Sequence, residues 1–509
     1  MKSYIFFVQI GLILLLSVSA QGEPPPKQQW VARYNGPYNN WDEATAIAVD
    51  NVGNVYVTGY SEAEDTGTGL INYNYLTIKY GPNGSPLWIS RYNNPDCNCE
   101  AATDLAVDNQ GNVYVTGLAY DPNTWWGYDT IKYDHNGNEL WVARYDKVHS
   151  IASVSYDPAL AVDCLGNVYV CGHTRSGIYD FTTIKYDPNG NEIWVKFFGE
   201  PPYSRDNYGR ALAVIVDNYG NIYVTGFRES GSHWYYATVK YDTNGTTIWK
   251  NSYEDGMAID ITIDNYGNVY ITGWSYGGIE TDYDYATIKY DPNGNQRWVV
   301  RYNGPGNSED RAEAIAVDGS GNVYVTGSSS DNNTYSDYST IKYDTNGNEI
   351  WVRCCKVGTV PYALTVDKFG NVYVTGQGRT NDDPYGESFD YVTIKYDHNG
   401  DDLWMVRYDN PTNSLDEACD LAIDERGSIY VTGKSSNIGT YFDYATIKYT
   451  QHDYCLEPIG SDLNCDCKVS FLDFAIFAET WLGGSDFEQL AVLANKWLQC
   501  NFALEEDCW

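Results

Sequence analysis

Twelve residues near the C-terminal end, D-L-N-C-D-C-K-V-S-F-L-D from Asp462 to Asp473, have the spacing of a calcium loop. Side-chain oxygens fall at loop positions 1, 3, 5, 9 and 12 (Asp462, Asn464, Asp466, Ser470, Asp473), and the Lys468 carbonyl falls at position 7. Cys467 stands at the sharp-turn position where glycine is usual, at a cost of about 1 kcal/mol if φ must be positive. A second set of residues could bind without chemistry. Trp125, Trp126, Trp234, Trp274, Tyr283 and Tyr385 sit in stretches that read as variable loops, also rich in Asp and Asn, a mixture that can stack on sugar rings and bond their hydroxyls. The alternative is that these rings pack their own segments. Nucleophilic catalysis has little to work with: there are six His, and no H-E-x-x-H, P-loop or G-x-S-x-G context. With 68 acidic residues, a carboxylate pair for glycoside hydrolysis cannot be located by counting.

The elements that would position these residues repeat. D-N-V-G-N-V-Y-V-T-G begins at Asp50 and recurs, with small changes, at Asp108, Asp163, Asp217, Asp264, Asp318, Asp367 and Asp424. It reads as a β-hairpin in which an apolar run ends on Asp, Gly-Asn supplies the turn, and Val-Tyr-Val is the return strand. A T-I-K-Y type strand follows each copy, from Thr77 to Thr446, and a Trp series runs Trp30, Trp88, Trp141, Trp194, Trp249, Trp298, Trp351 and Trp404. The period is ~53 residues with four strands per unit, the pattern of a β-propeller. Trp30 precedes the first unit and the last T-I-K-Y has no Trp strand after it, so the N-terminal strand is expected to complete the last blade and leave no open edge.

The repeat, quoted at its clearest as A-E-A-I-A-V-D-G-S-G-N-V-Y-V-T-G from Ala312 to Gly327, closely resembles the bacterial SBBP-type β-propeller repeat over about Gln29 to Thr450. The resemblance implies an all-β, eight-bladed propeller and says little about a ligand. Because the Asp, the Gly-Asn pair and the T-I-K-Y lysine are present in every unit, they are expected to be architecture, and function should lie in what does not repeat. Asp42, Glu100, Asp310 and Asp416 share one position before the inner strand. They either ring the channel mouth and attract a cation or cap their own turns. Eight-bladed quinoprotein dehydrogenases carry a turn similar to Tyr343–Trp351, and some have a vicinal disulfide comparable in place to Cys354 and Cys355, but no counterpart of their calcium ligands or base is found here.

Beyond Tyr449 the period changes. Phe474, Phe477, Ala478, Trp481 and Leu482 lie at helical spacing, which Leu490, Leu493, Ala494, Trp497 and Leu498 repeat. With the loop before it, this tail resembles a dockerin module, which implies a small all-α domain, calcium as ligand and a cohesin-like partner. The match is good over Asp462 to Leu482. It is poor afterwards, since Gly483 to Gln489 is short of oxygen ligands, so one ion is expected. Cys455, Cys465, Cys467, Cys500 and Cys508 could staple so small a domain.

Residues 1–20 have Lys2, an apolar stretch and a Val18-Ser-Ala20 cleavage site, so they read as a secretory signal peptide. Residues 21–28 form a Pro-rich leader, 29–450 the propeller, 451–460 a linker and 461–509 the dockerin-like module. A net charge of -36 argues against nucleic acid and anionic lipid surfaces, and no further run is long and apolar enough to span a bilayer. The expectation is a secreted, monomeric, non-catalytic propeller that binds polysaccharide or protein and is docked by its calcium-binding tail. The alternative is a glycan-cleaving component of an extracellular polysaccharide-degrading system.

Overall fold

The computed structural model describes residues 23–63, 72–93, 99–121, 125–146, 158–175, 179–198, 209–231, 233–253, 255–278, 282–330, 336–379, 388–410, 415–437 and 440–451. The expected signal peptide, Tyr385 and the whole C-terminal module with its calcium loop lie outside the described residues. Within them, 32 strands form eight antiparallel four-stranded sheets. Blade 1 runs outward from Asp42–Val49 through Val55–Glu62 and Tyr73–Tyr80 to Pro86–Tyr92. The innermost strand of each blade touches those of both neighbours, closing the ring. Closure comes as expected: Lys27–Tyr34 pairs antiparallel with Thr440–Thr450, Val31 facing Ile447, as the outermost strand of blade 8. This strand starts at Lys27, within the expected leader. Lys27 and Gln28 already pair with Thr450 and Tyr449, and Glu23 reaches the buried Lys395 ammonium at 2.6 Å.

The repeated residues are architecture. In blade 1, Asp50 Oδ1 accepts the Val52 and Asn54 amides, and Oδ2 accepts the Asn54 side chain and the Tyr56 hydroxyl. One carboxylate therefore closes the turn and anchors a fully buried ring. In seven of the eight blades the Lys and Trp then hold the next blade; in blade 7 Lys395 instead reaches the Glu23 and Gln451 side chains. Lys79 Nζ and Trp88 Nε1 both donate to the His135 carbonyl at 3.2 Å, and the ammonium lies 4.9 Å over the Tyr56 ring. The same pair of donors meets one carbonyl at Pro188, Thr243, Pro292, Thr345 and His398, and Lys448 with Trp30 meets Pro82 across the closing seam. Only the backbone of His135 and His398 enters this weld, so the imidazoles are replaceable there.

Two glycines show why the pattern is strict. Gly84 has φ +80°, and a Cβ would sit 2.6 Å from Trp30, whose ring lies flat on the turn. At Gly59, of V-T-G, a Cβ would meet the Glu43 carbonyl at 2.0 Å, because the inner strand bulges at Thr45 and swings its backbone close.

Where loops were expected to carry the aromatic residues, several blades instead continue the ladder. Trp125 and Trp126 belong to the strand Trp125–Tyr133, Trp234 to His233–Tyr241, Trp274 to Val269–Gly278 and Tyr283 to Asp282–Tyr290. Aromatic residues favour a pleated, half-buried surface, so the hairpins lengthen and take these rings into regular positions.

Candidate functional site

The hairpin turns occupy one face of the ring, and the connections between second and third strands occupy the other, with those leading into each innermost strand. On that second face, and on the channel wall below it, the residues stop repeating.

Inner strands follow A-x-A-I-A-V-D, but blades 2, 5 and 8 replace the second Ala with Asp104, Asp260 and Asp420. Each carboxylate binds backward and forward. Asp420 Oδ1 accepts the Leu421 amide at 2.7 Å, and Oδ2 accepts the Ile47 amide of blade 1 at 2.9 Å. Asp104 reaches Leu160 and Asp260 reaches Ile315 in the same manner. Burial in the channel wall raises Asp104 and Asp260 to about 6 and Asp420 to about 7, the last also sensing the other two carboxylates. Around an eight-fold ring these three blades are as evenly spaced as possible, so no two of the Asp are adjacent.

The bulge residue just before this position also varies: Thr45, Thr103, Leu212, Ile259, Glu313, Tyr362 and Cys419. Thr103 Oγ1 donates to the Pro158 carbonyl at 2.7 Å, and Cys419 Sγ lies 3.0 Å from the Ala44 carbonyl. Glu313 and Tyr362 do other work. Glu313 is raised to about 7 by burial, against the opposing pull of Arg311. Tyr362 is 41 % exposed, accepts from Gln377 at 3.2 Å and has the acidic groups of Glu417, Glu313 and Glu43 and the Cys419 thiol as its surroundings. Lys434 bridges Glu417 at 3.0 Å and Glu43 at 3.4 Å, while Tyr60 donates to Glu43 at 2.7 Å. The mouth thus gathers three carboxyl groups, two phenols and one ammonium from four blades.

Arg311 joins this polar group to an aromatic edge. Its guanidinium lies 5.2 Å over Trp274 and 5.8 Å over Tyr283, and it pairs with Glu309. Trp274 meets Tyr283 edge-on at 4.7 Å and Trp234 at 5.7 Å, and Trp234 stacks on Phe227 at 5.2 Å. The structure therefore brings together three of the residues singled out for ligand stacking. Trp274 itself is 7 % exposed, closed in by its neighbours, so the open rim of the cluster is Tyr276, 41 % exposed and 5.8 Å from Tyr283. Trp126 stands apart in blade 2 and packs on Tyr120 at 5.3 Å; Trp125 is placed in the same strand.

Asp42, Asp310 and Asp416 are buried rather than ringing the mouth, as is Glu100. Capping is what the three Asp do: each accepts the backbone amide six residues back, from Gly36, Gly304 and Asn410. The described cysteines, Cys99, Cys164, Cys171, Cys354, Cys355 and Cys419, are free thiols. Among the described residues no helix is long and apolar enough to cross a membrane.

Residues 29–65 and 298–333 match the SBBP beta-propeller repeat. These two SBBP segments cover the closing strand with the start of blade 1, and the corresponding stretch from blade 5 into blade 6. A WD repeat-containing protein of Acanthamoeba polyphaga mimivirus is 23% identical over 187 residues, 34% of this chain and 12% of that protein. The chain thus aligns with about an eighth of that relative's length. Among solved structures, the polysaccharide lyase Uly1 superposes with a TM-score of 0.43 at 12% identity, covering 85% of this chain and 94% of that one. Drosophila Plexin A in complex with Semaphorin 1b gives 0.41 at 9% identity, covering 84% and 88%.

Proposed function

We propose that this chain is an exported, non-catalytic binding protein whose second face, at the channel mouth, holds a neutral, hydroxyl-rich polymer such as a polysaccharide. The observation that carries this is the continuous arc from Tyr276 and Tyr283 through Arg311 to Glu313, Tyr362, Glu417, Lys434 and Glu43. An open aromatic edge beside donors and acceptors that largely neutralise one another suits sugar rings and their hydroxyls better than it suits an ion. The C-terminal segment acts, in this proposal, as a dockerin-like module that takes one calcium ion on Asp462, Asn464, Asp466, Lys468, Ser470 and Asp473 and docks the molecule to a cohesin-like partner outside the cell. The test is a glycan array probed with the full chain, followed by incubation of every positive glycan. Retention without shortened products, lost in Glu417→Gln and in Tyr276→Ala, supports the binding role; an array without positives overturns it.

One observation favours a second possibility. A carboxyl raised to about 7, as at Glu313, is half-protonated at neutrality and suits a general acid, with Glu417 near the same phenol as the charged partner. Shortened products that vanish in Glu313→Gln would establish cleavage in place of binding.

A further inference from the structure

At the seam between blades 7 and 8, three aspartates from three chain segments converge. Asp390 lies on the third strand of blade 7, Phe389–Tyr396; Asp409 follows the outermost strand, Asp402–Tyr408; Asp416 opens the innermost strand of blade 8, Asp416–Ile423. One carboxylate oxygen from each lies within 4.8 Å of the others. Asp390 is 4 % exposed and Asp416 is fully buried, while Asp409 is exposed. Each buried carboxylate has one oxygen in use: Asp416 Oδ2 accepts the Asn410 amide at 2.9 Å, and Asp390 Oδ2 faces Arg407 at 3.3 Å. The Oδ1 atoms of both are buried outside any well-formed hydrogen bond, with the Ser435 side chain also beside the Asp416 carboxyl.

A buried carboxylate oxygen left without a well-formed partner is costly, and two at one seam ask for a shared positive partner. Arg407 is engaged on the other oxygen of Asp390, and the second guanidinium near Asp416, that of Arg33, is bonded to Asp443, Tyr408 and Ser435. Three carboxylate oxygens suit a hard cation, and calcium, which accepts flexible coordination with bonds of roughly 2.3–2.6 Å, tolerates an irregular set better than magnesium, which demands a near-ideal octahedron.

We propose that Asp390, Asp409 and Asp416 form a calcium site that clamps blade 8 to blade 7, with Asp409 as the entry ligand and water completing the shell. This site is separate from the loop expected in the C-terminal segment. The molecule contains its own controls. Asp284 and Asp310 occupy the same two positions at the seam of blades 5 and 6, and their Oδ1 atoms are likewise buried outside any well-formed hydrogen bond. The third position there is Asn303, whose side-chain amide donates to Asn307 at 2.8 Å. The closing seam has Asn35 at that position, bonded in the same way to Asn39. Among the described residues three seams have acids at both buried positions, the closing one through Asp443 and Asp42; two of these stop at two acids, and only the seam of blades 7 and 8 adds the third.

Asp409→Asn therefore gives this seam the composition of seams that already fold. The experiment is calcium titration by calorimetry on the full chain, as wild type, as Asp409→Asn, and as Asp466→Ala to weaken the expected C-terminal loop. The expected result is that Asp409→Asn binds one ion fewer per chain than wild type and that Asp466→Ala retains the site, with Kd on the order of 10⁻⁴–10⁻³ M. Asp409→Asn should also lose the calcium-dependent rise in the melting temperature of the propeller. Equal stoichiometry and affinity in wild type and Asp409→Asn would overturn the proposal. So would a wild type whose bound calcium disappears entirely in Asp466→Ala, leaving the seam carboxylates to share protons.

Discussion

The two faces of the ring handle carboxylates in opposite ways. On the turn face, Asp134, Asp187, Asp242, Asp291 and Asp344 each accept several short hydrogen bonds inside their own turns, which pulls them below the ordinary carboxylate range. On the opposite face and in the channel, Asp104, Asp260, Glu313, Asp416 and Asp420 are pushed upward, with burial as the leading cause in every case. The first group recurs blade after blade, while each position of the second is acidic in only some blades. A repeated acid is satisfied within its own turn. An unrepeated one is held at a cost in charge, and that cost marks where the ring departs from scaffold.

The comparison can be tested by substitution, starting on the turn face. Trp249→Ala should have the largest effect. The ring is 9 % exposed, packs on Tyr223 and Tyr290, and donates to Pro292 of the next blade, so a loss of about 3–5 kcal/mol is expected in denaturant unfolding of the full chain. Asp217→Ala should follow at about 2–3 kcal/mol. It removes the acceptor of the Tyr219 and Asn221 amides, the Asn221 side chain and the Tyr223 hydroxyl. Equal losses from the corresponding Asp in other blades would confirm that the turn face is uniform.

Asp420→Ala probes the opposite class and should carry a pH signature. The folded pKa of about 7 lies above the ordinary carboxylate value, so the contribution of Asp420 to stability is fully present below about pH 4 and is lost as pH rises through about 7. The variant, which adopts the Ala found in sister blades, should cost about 1–2 kcal/mol near pH 5 and progressively less toward pH 8. A cost that grows with pH would mean the carboxylate is charged and paired instead. The smallest stability effect should come from Tyr276→Ala, within about 0.5 kcal/mol of wild type, since the ring is 41 % exposed. Its effect should show in glycan retention. A large loss of stability there would make the aromatic edge packing rather than a binding surface.

The ring was legible in the sequence because every blade states its own turn chemistry: the Asp that accepts, the Gly at positive φ and the Trp that lies on the next turn. The tyrosine and tryptophan cluster of blades 4 and 5 was legible by residue type, though the hairpins that carry it were not, because aromatic strands and aromatic loops have similar composition. The channel wall escaped for a geometric cause. One extra residue bulges between Ala44 and Ala46, and at the same place in six other blades, so residues upstream of it face the opposite way from strict alternation. Glu43, Glu313, Tyr362 and Glu417 lie at or before the bulge. The one available signal was substitution of Ala by Asp104, Asp260 and Asp420 in a strand template that otherwise holds.

The closing strand gives the two ends of the described chain unequal mechanical strength. Thr440–Thr450 is flanked by Ile429–Asn437 on one side and Lys27–Tyr34 on the other, and its far end, Thr450, leads toward the C-terminal segment. A pull on that segment along the strand loads both ladders in shear, with many hydrogen bonds resisting at once. The same pull on Lys27 loads one ladder only, that to Thr440–Thr450. If the molecule is tethered through its C-terminal segment, tension reaches the ring at its better-supported end.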